Sequence, residues 1–174
     1  MDEILPFGSR SYFLILTLLL FARGTDFLST WIATPNLVLE GNPLAKKLGW
    51  KWGAVINLAL CITFACWPLP AIVICTSSVL VAARNFQSAW LMRSLGEEPY
   101  RNWHVERFQE TRISLFLFCL FGQTGLFLSI GTTLVLFTSG ELVSLAIGLG
   151  IIAYALAVAI YTLLSVWRMR RGSS

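Results

Sequence analysis

The sequence predicts an all-α fold, a polytopic membrane protein built as a five-helix transmembrane bundle, from three observations. Of its 174 residues 56% are hydrophobic and only 13% charged, with a mean hydropathy of +0.72, whereas a soluble domain carries roughly a quarter charged residues. Apolar stretches of membrane-crossing length recur along the chain. Once these spans are placed, the basic residues collect on one side of the membrane. Five spans are expected, at about 12–34, 52–67, 71–93, 113–137 and 142–167. Nothing outside them is long enough to bury a core of its own, so residues 1–174 read as one integral membrane domain.

The first span follows Met1-Asp2-Glu3, acidic where a removable secretion signal needs positive charge, so this helix is expected to remain. The next apolar stretch, from Trp52 to Ala83, runs 32 residues without a charge, whereas a crossing takes about 20. In its middle, Trp67-Pro68-Leu69-Pro70 removes two amide donors and fixes two φ angles, which predicts a tight hairpin between two spans. The span from Trp52 to Trp67 is short, but Asn42-Pro43 offers an earlier start, with Asn as N-cap and Pro at the first helical position.

The polar stretch Gly96 to Arg112 carries Glu97, Glu98, Glu106 and Glu110 against its arginines, and Tyr100, Trp103 and Phe108 give it a modest apolar side. It reads either as a short helix on the headgroups or as a solvated connector. In the last two spans, Gly125, Ser129 and Thr133, then Ser144 and Gly148, have the small-residue spacing of close helix packing.

Charge distribution decides between five spans and four. Five spans put Lys46, Lys47, Lys51, Arg93, Arg101, Arg107, Arg112, Arg168, Arg170 and Arg171 on one face and only Arg10 on the other. Four spans, with Trp52 to Ala83 crossing once, leave the three lysines opposed by nine arginines. The positive-inside bias thus favours five helices in the cell (inner) membrane, with the N-terminus outside and the C-terminus cytoplasmic. Tryptophans 31, 52, 67, 90 and 167 sit near the proposed span ends, as an interfacial belt requires.

The net charge of +4 is accounted for by these flanking residues, and no nucleic-acid partner is expected. Cys61, Cys66, Cys75 and Cys119 lie in apolar segments without paired spacing and read as small packing residues. His104 is the only histidine, which leaves no zinc site or Ser-His-Asp triad. No phosphate loop or nucleophile elbow occurs, and neither metal nor cofactor is expected.

Three charges remain inside the spans, Arg23, Asp26 and Arg84, each costing at least ~2.5 kcal/mol on insertion scales. Arg23 and Asp26 are three apart on one helix face. At ~1.5 Å per residue, Asp26, Asn57 and Arg84 come out roughly 8–15 Å from the cytoplasmic edge. Asn85 adjoins Arg84, Tyr161 is comparable, and the connector containing Glu40 and Asn42 lies above. This convergence predicts a coupled, cytoplasm-facing polar pocket in which Arg84 shares the charge of Asp26 and the connector acts as a lid through Glu40. The ordinary alternative is that Arg23 and Arg84 snorkel while Asp26 pairs with Arg23 and locks helices together.

The arrangement Asp26-x-x-x-Thr30 followed by Glu40-x-Asn42-Pro43 resembles small bacterial and archaeal membrane proteins of an uncharacterised family. Their pattern is an intramembrane Asp and Thr followed by Glu-x-Asn-Pro. The likeness covers residues 12–94 and implies Asp26, Thr30, Glu40, Asn42 and Pro43 as a set, without implying an activity.

The ligand-binding set is therefore Arg23, Asp26, Thr30, Glu40, Asn42, Asn57, Arg84 and Asn85. It suits a small charged metabolite or an anionic lipid headgroup, bound or moved by a chain that as a transporter would be expected to form homo-oligomers. A scaffold subunit without substrate is the second reading. An enzyme acting on a lipid phosphate, with the arginines holding phosphate, is the third.

Overall fold

A computed structural model describes the backbone of residues 4–171 and the side chains of residues 4–167. The acidic start Met1-Asp2-Glu3 lies outside the described residues, and Arg168, Arg170 and Arg171 are described only in their backbone. Six helices follow one another: α1 Arg10–Ala33, α2 Pro43–Phe64, α3 Pro68–Leu95, α4 Glu97–Glu110, α5 Ile113–Phe137 and α6 Leu142–Arg171. No strand is found among the described residues. Four helices, α1, α3, α5 and α6, are long and apolar enough to cross a membrane, which fits a membrane protein. The expected five-helix count is not matched, because α2 falls outside this set and α4 adds a helix that does not span.

The physical reason in α2 is Gly49, whose φ of 67° and ψ of −175° interrupt the helix. That conformation is open to glycine and strained for other residues. It separates a first turn carrying Lys46 and Lys47 from a run over 50–64 that is apolar beyond Lys51 apart from Asn57 and Thr63 and about 22 Å long at ~1.5 Å per residue. The start signal is realised: Asn42 Oδ1 accepts the Leu44 amide at 3.0 Å, and Pro43 opens the helix.

The expected hairpin between α2 and α3 is present, but Pro68 and Pro70 lie just after its turn. They occupy the first turn of α3, where amides lack intrahelical partners and proline costs little. The chain reverses instead over 65–67. At the other end of α3, Gly96 (φ 86°) turns the chain sharply into α4, so the polar stretch is helical.

Side-chain register gives the helix directions. Leu5 N donates to Cys66 O at 2.9 Å, and Tyr12 Oη donates to Ile62 O at 3.2 Å. Further along, Arg23 meets Asn57 and Ser78, while Asn85 meets Ser29 and Thr30. Thus α2 runs antiparallel to α1, and α3 runs parallel to it. The core at the α1 start is Tyr12, Leu19, Cys61, Ala65 and Ala71, with Cys66 and Cys75 packed against it. All four cysteines are free thiols.

α6 packs against both α3 and α5, through glycines. A Cβ on Gly131 would lie 2.8 Å from Gly148 O, and one on Gly150 would lie 2.6 Å from Thr76 Cβ. This corrects the expected packing face of α5: Gly125, Ser129 and Thr133 are exposed, while Leu120, Thr124 and Gly131 are buried. Large apolar side chains such as Phe118 (77% exposed) and Phe137 (82%) point outward, as hydrocarbon contact would allow and water would penalise.

Candidate functional site

The polar residues singled out in α1, α2 and α3 converge around one guanidinium. Arg23 donates through Nε to Asn57 Oδ1 at 2.8 Å and also reaches that oxygen through its Nη2. Its Nη1 donates to Asp26 Oδ2 at 3.0 Å and to Ser78 Oγ at 3.1 Å. The planar fork of arginine has donors enough to hold three helices at once. Asn57 is itself oriented, because its Nδ2 donates to Gly53 O at 2.8 Å and leaves Oδ1 facing Arg23.

One turn further along α1, Asn85 Nδ2 donates to Ser29 Oγ and Thr30 Oγ1, both at 3.2 Å. These hydroxyls in turn donate to the Asp26 carbonyl, at 2.8 and 3.0 Å. Ser29 is fully buried. The backbone of Asp26 is thereby tied to α3 while its carboxylate is tied to Arg23. Asp26 Oδ1 has no hydrogen-bond donor among the described residues, and the side chain keeps 17% of its exposure.

Of the expected site residues, Arg23, Asp26, Thr30, Asn57 and Asn85 are brought into this cluster. Arg84 is not: it lies about 100° around the helix from Asn85 and makes no ion pair or hydrogen bond among the described residues. Asn42 is occupied as a helix cap. Glu40, expected as the lid residue, also shapes the turn: its Oε1 accepts the Asn42 amide at 2.7 Å. Its carboxylate nevertheless lies within electrostatic range of Asp26, and its Oε2 has no donor among the described residues.

The sequence reading missed Ser29, Ser78 and Glu97. Ser29 shares the Asp26 face at a spacing of three, and Ser78 lies two turns before Asn85, so both carried a periodicity signal. Glu97 carried none. From the start of α4, its carboxylate accepts from the Thr34 hydroxyl, from the Asn36 amide and Asn36 Nδ2 (both 2.9 Å) and from the Val38 amide (3.0 Å). The connector between α1 and α2 is further held by Trp50 Nε1 on Pro35 O at 2.8 Å, by the Leu39 amide on Thr34 Oγ1 at 3.0 Å, and by Lys46 Nζ on Val38 O.

Burial pushes the Glu97 carboxyl up, but the bonds from Thr34, Asn36 and Val38 outweigh it and hold the group below its ordinary range. A depressed folded-state value means that this contribution is present above the unfolded value, near pH ~4.3, and is lost as pH falls through the folded one. In micelles, the Val38 amide resonance should therefore stay constant from pH 7 until below ~4.3 and shift only at lower pH. The Glu97→Gln variant should lack the transition, and a midpoint above the ordinary glutamate value would contradict the assignment.

Two open hollows lie away from this cluster, one of about 770 Å³ along α4 and one of about 220 Å³ where α5 meets α6 near Glu141. The polar cluster is instead closely bonded, with open valences at Asp26 and Glu40. Comparison with protein-family models, with curated proteins and with solved structures gave no match for this chain.

Proposed function

We propose that the chain is a multi-pass protein of the cell (inner) membrane, with lipid as its surroundings, that crosses five times and binds or moves a small charged ligand or lipid headgroup at the Asp26–Glu40 end of α1. The fifth crossing follows from direction: α1 and α3 run parallel, so if both span, the chain between them must return through the membrane, and α2 is the returning segment. The kink at Gly49 leaves its lysines at the connector end. This topology puts the ten flanking basic residues on one side, which supports a cytoplasmic connector and C-terminus and an external N-terminus. With the native cysteines replaced, single cysteines at Arg10 and Gly140 should label from one side and those at Lys47 and Asn102 from the other. Labelling of Lys47 and Asn102 from opposite sides would overturn the five-crossing arrangement.

The single observation carrying the binding reading is the division of labour around Arg23. Its donors are taken up by Asn57, Asp26 and Ser78, so it positions Asp26 rather than gripping a ligand. What stays open is acceptor capacity, Asp26 Oδ1 and Glu40 Oε2, which favours the positively charged part of a metabolite or headgroup. Arg84, which makes no ion pair or hydrogen bond among the described residues, is the group suited to an anionic part. Thr30, Asn85 and Asn57 then orient the site, and Asn42-Pro43 sets the connector, which makes the Asp-x-x-x-Thr and Glu-x-Asn-Pro motifs one unit.

The test is native mass spectrometry of protein extracted with its lipid. Glu40→Gln retains an oxygen for the Asn42 amide and removes the charge, so it should lower retention of the co-purifying molecule at least tenfold with little change in melting. Asp26→Asn should do likewise. If both variants keep the molecule and only melt earlier, the binding reading falls. The competing scaffold reading is favoured by the internal satisfaction of Arg23 and by hollows that lie elsewhere, and it would be supported by a stoichiometric protein partner. A lipid-phosphate enzyme is disfavoured because Arg23, one of the two expected phosphate holders, is already engaged, which leaves Arg84 alone for that task.

A further inference from the structure

The connector that carries Glu40 is held from outside its own helix pair, by a residue 59 to 63 positions further along the chain than the groups it holds. Four donors from three residues of the connector, Thr34, Asn36 and Val38, converge on the carboxylate of Glu97. Charge-assisted bonds to backbone amides are among the stronger hydrogen bonds available to a surface loop. Glu97 heads α4, a 14-residue helix with no buried residue of its own. The chain therefore joins a well-held connector to a helix that is weakly embedded in the bundle.

We propose that Glu97 is a latch: it holds the 34–42 connector closed over the Asp26 end of α1, and displacement of α4 opens the way to Asp26. This inference rests on the binding reading for its purpose, but the closure itself can be measured without a ligand. Closure follows from placement. Glu40 sits on the latched segment within electrostatic range of Asp26, and Trp50, bonded to Pro35 O, stacks edge-on against Phe27 at 4.9 Å, one residue from Asp26. Glu97 follows the end of α3 by two residues, so moving the connector away from α1 while α4 stays in place must break the Glu97 bonds.

Glu97 is then a positioning residue, and its role is distinguishable from simple support of the fold. In nanodiscs, Glu97→Gln keeps the size of the side chain but loses the charge and one acceptor. Hydrogen exchange at the Asn36 and Val38 amides should accelerate at least tenfold, while exchange within α1 and α3 stays unchanged. Coupling of an amine to Asp26 by a water-soluble carbodiimide, read by peptide mass spectrometry, should rise several-fold in the same variant. Glu97→Asp, which keeps the charge but is too short to reach both amides, should fall between wild type and Glu97→Gln in both measurements.

Unchanged exchange at Asn36 and Val38 would overturn the latch. Faster exchange with unchanged Asp26 coupling would also overturn it, leaving a clamp that does not control access. General acceleration through α1 and α3 would mean that Glu97 supports the whole fold, which likewise defeats the proposal. None of these results bears on whether Asp26→Asn loses a bound molecule, so the latch and the binding reading fail separately.

Discussion

Arg23→Met should be among the most destabilising polar substitutions in the molecule. It removes hydrogen bonds to Asn57, Asp26 and Ser78 together and leaves Asp26 without its partner on a helix apolar enough to cross a membrane. Breaking a buried ion pair from one side costs about 3–5 kcal/mol. The Arg23 and Asp26 side chains keep 28% and 17% of their exposure, and solvent screening lowers the expectation to about 2–3 kcal/mol. Arg23→Lys should recover only part of this loss, because an ammonium can pair with Asp26 but does not present the fork that reaches α2 and α3 simultaneously.

Unfolding in mixed micelles gives the measurement, and a double-mutant cycle gives the attribution. Arg23→Met and Asp26→Asn should be strongly non-additive. Asp26→Asn and Arg84→Gln should add to within roughly 0.5 kcal/mol, contrary to the coupling between Asp26 and Arg84 that depth matching suggested. A large interaction energy in the second pair would restore Arg84 to the cluster.

That reversal shows what kind of information the sequence held. Depth along a helix is linear in residue number, so Arg23, Asp26, Asn57 and Asn85 could be placed at one level from spacing alone. Rotation about the helix is not fixed by depth. Asn85 and Arg84 differ in depth by only about 1.5 Å but by about 100° in direction, and only Asn85 reaches α1. The same limit misassigned the packing face of α5, where the regular Gly125, Ser129, Thr133 spacing drew attention from Gly131, whose neighbours a turn away, Phe127 and Val135, are large.

Local signals fared better. Asn42-Pro43 starts α2, and proline at the head of a helix reads as a start as readily as a break. Glu97 was illegible because its donors lie 59 to 63 residues earlier in the chain. A glutamate beside Glu98 in a polar stretch is indistinguishable from a solvated charge until the helices are assembled.

The second large effect is steric and falls where α6 meets α3. Gly150→Ala would set its methyl 2.6 Å from Thr76 Cβ, and 3.0 Å from both Thr76 Cγ2 and Val73 O. The obstructing atoms include backbone and a Cβ, neither of which can swing aside as the end of a long side chain can. The helices must separate, at a cost of about 1–3 kcal/mol for overpacking a close contact, against up to ~1 kcal/mol gained in helix propensity on replacing glycine by alanine. Gly122→Ala is the control, since nothing lies within 4 Å of a Cβ there; it should be neutral or slightly stabilising. The compensating changes discriminate further. Thr76→Ala removes Cγ2 but keeps the Cβ and should rescue Gly150→Ala little, whereas Thr76→Gly removes the closest atom and should restore much of the packing despite its own propensity cost of about 0.3 kcal/mol. If Gly150→Ala melts no lower than wild type, or if Thr76→Ala rescues as well as Thr76→Gly, then α3 and α6 do not meet at this pair, and the packing of α6 on α3 loses its closest contact.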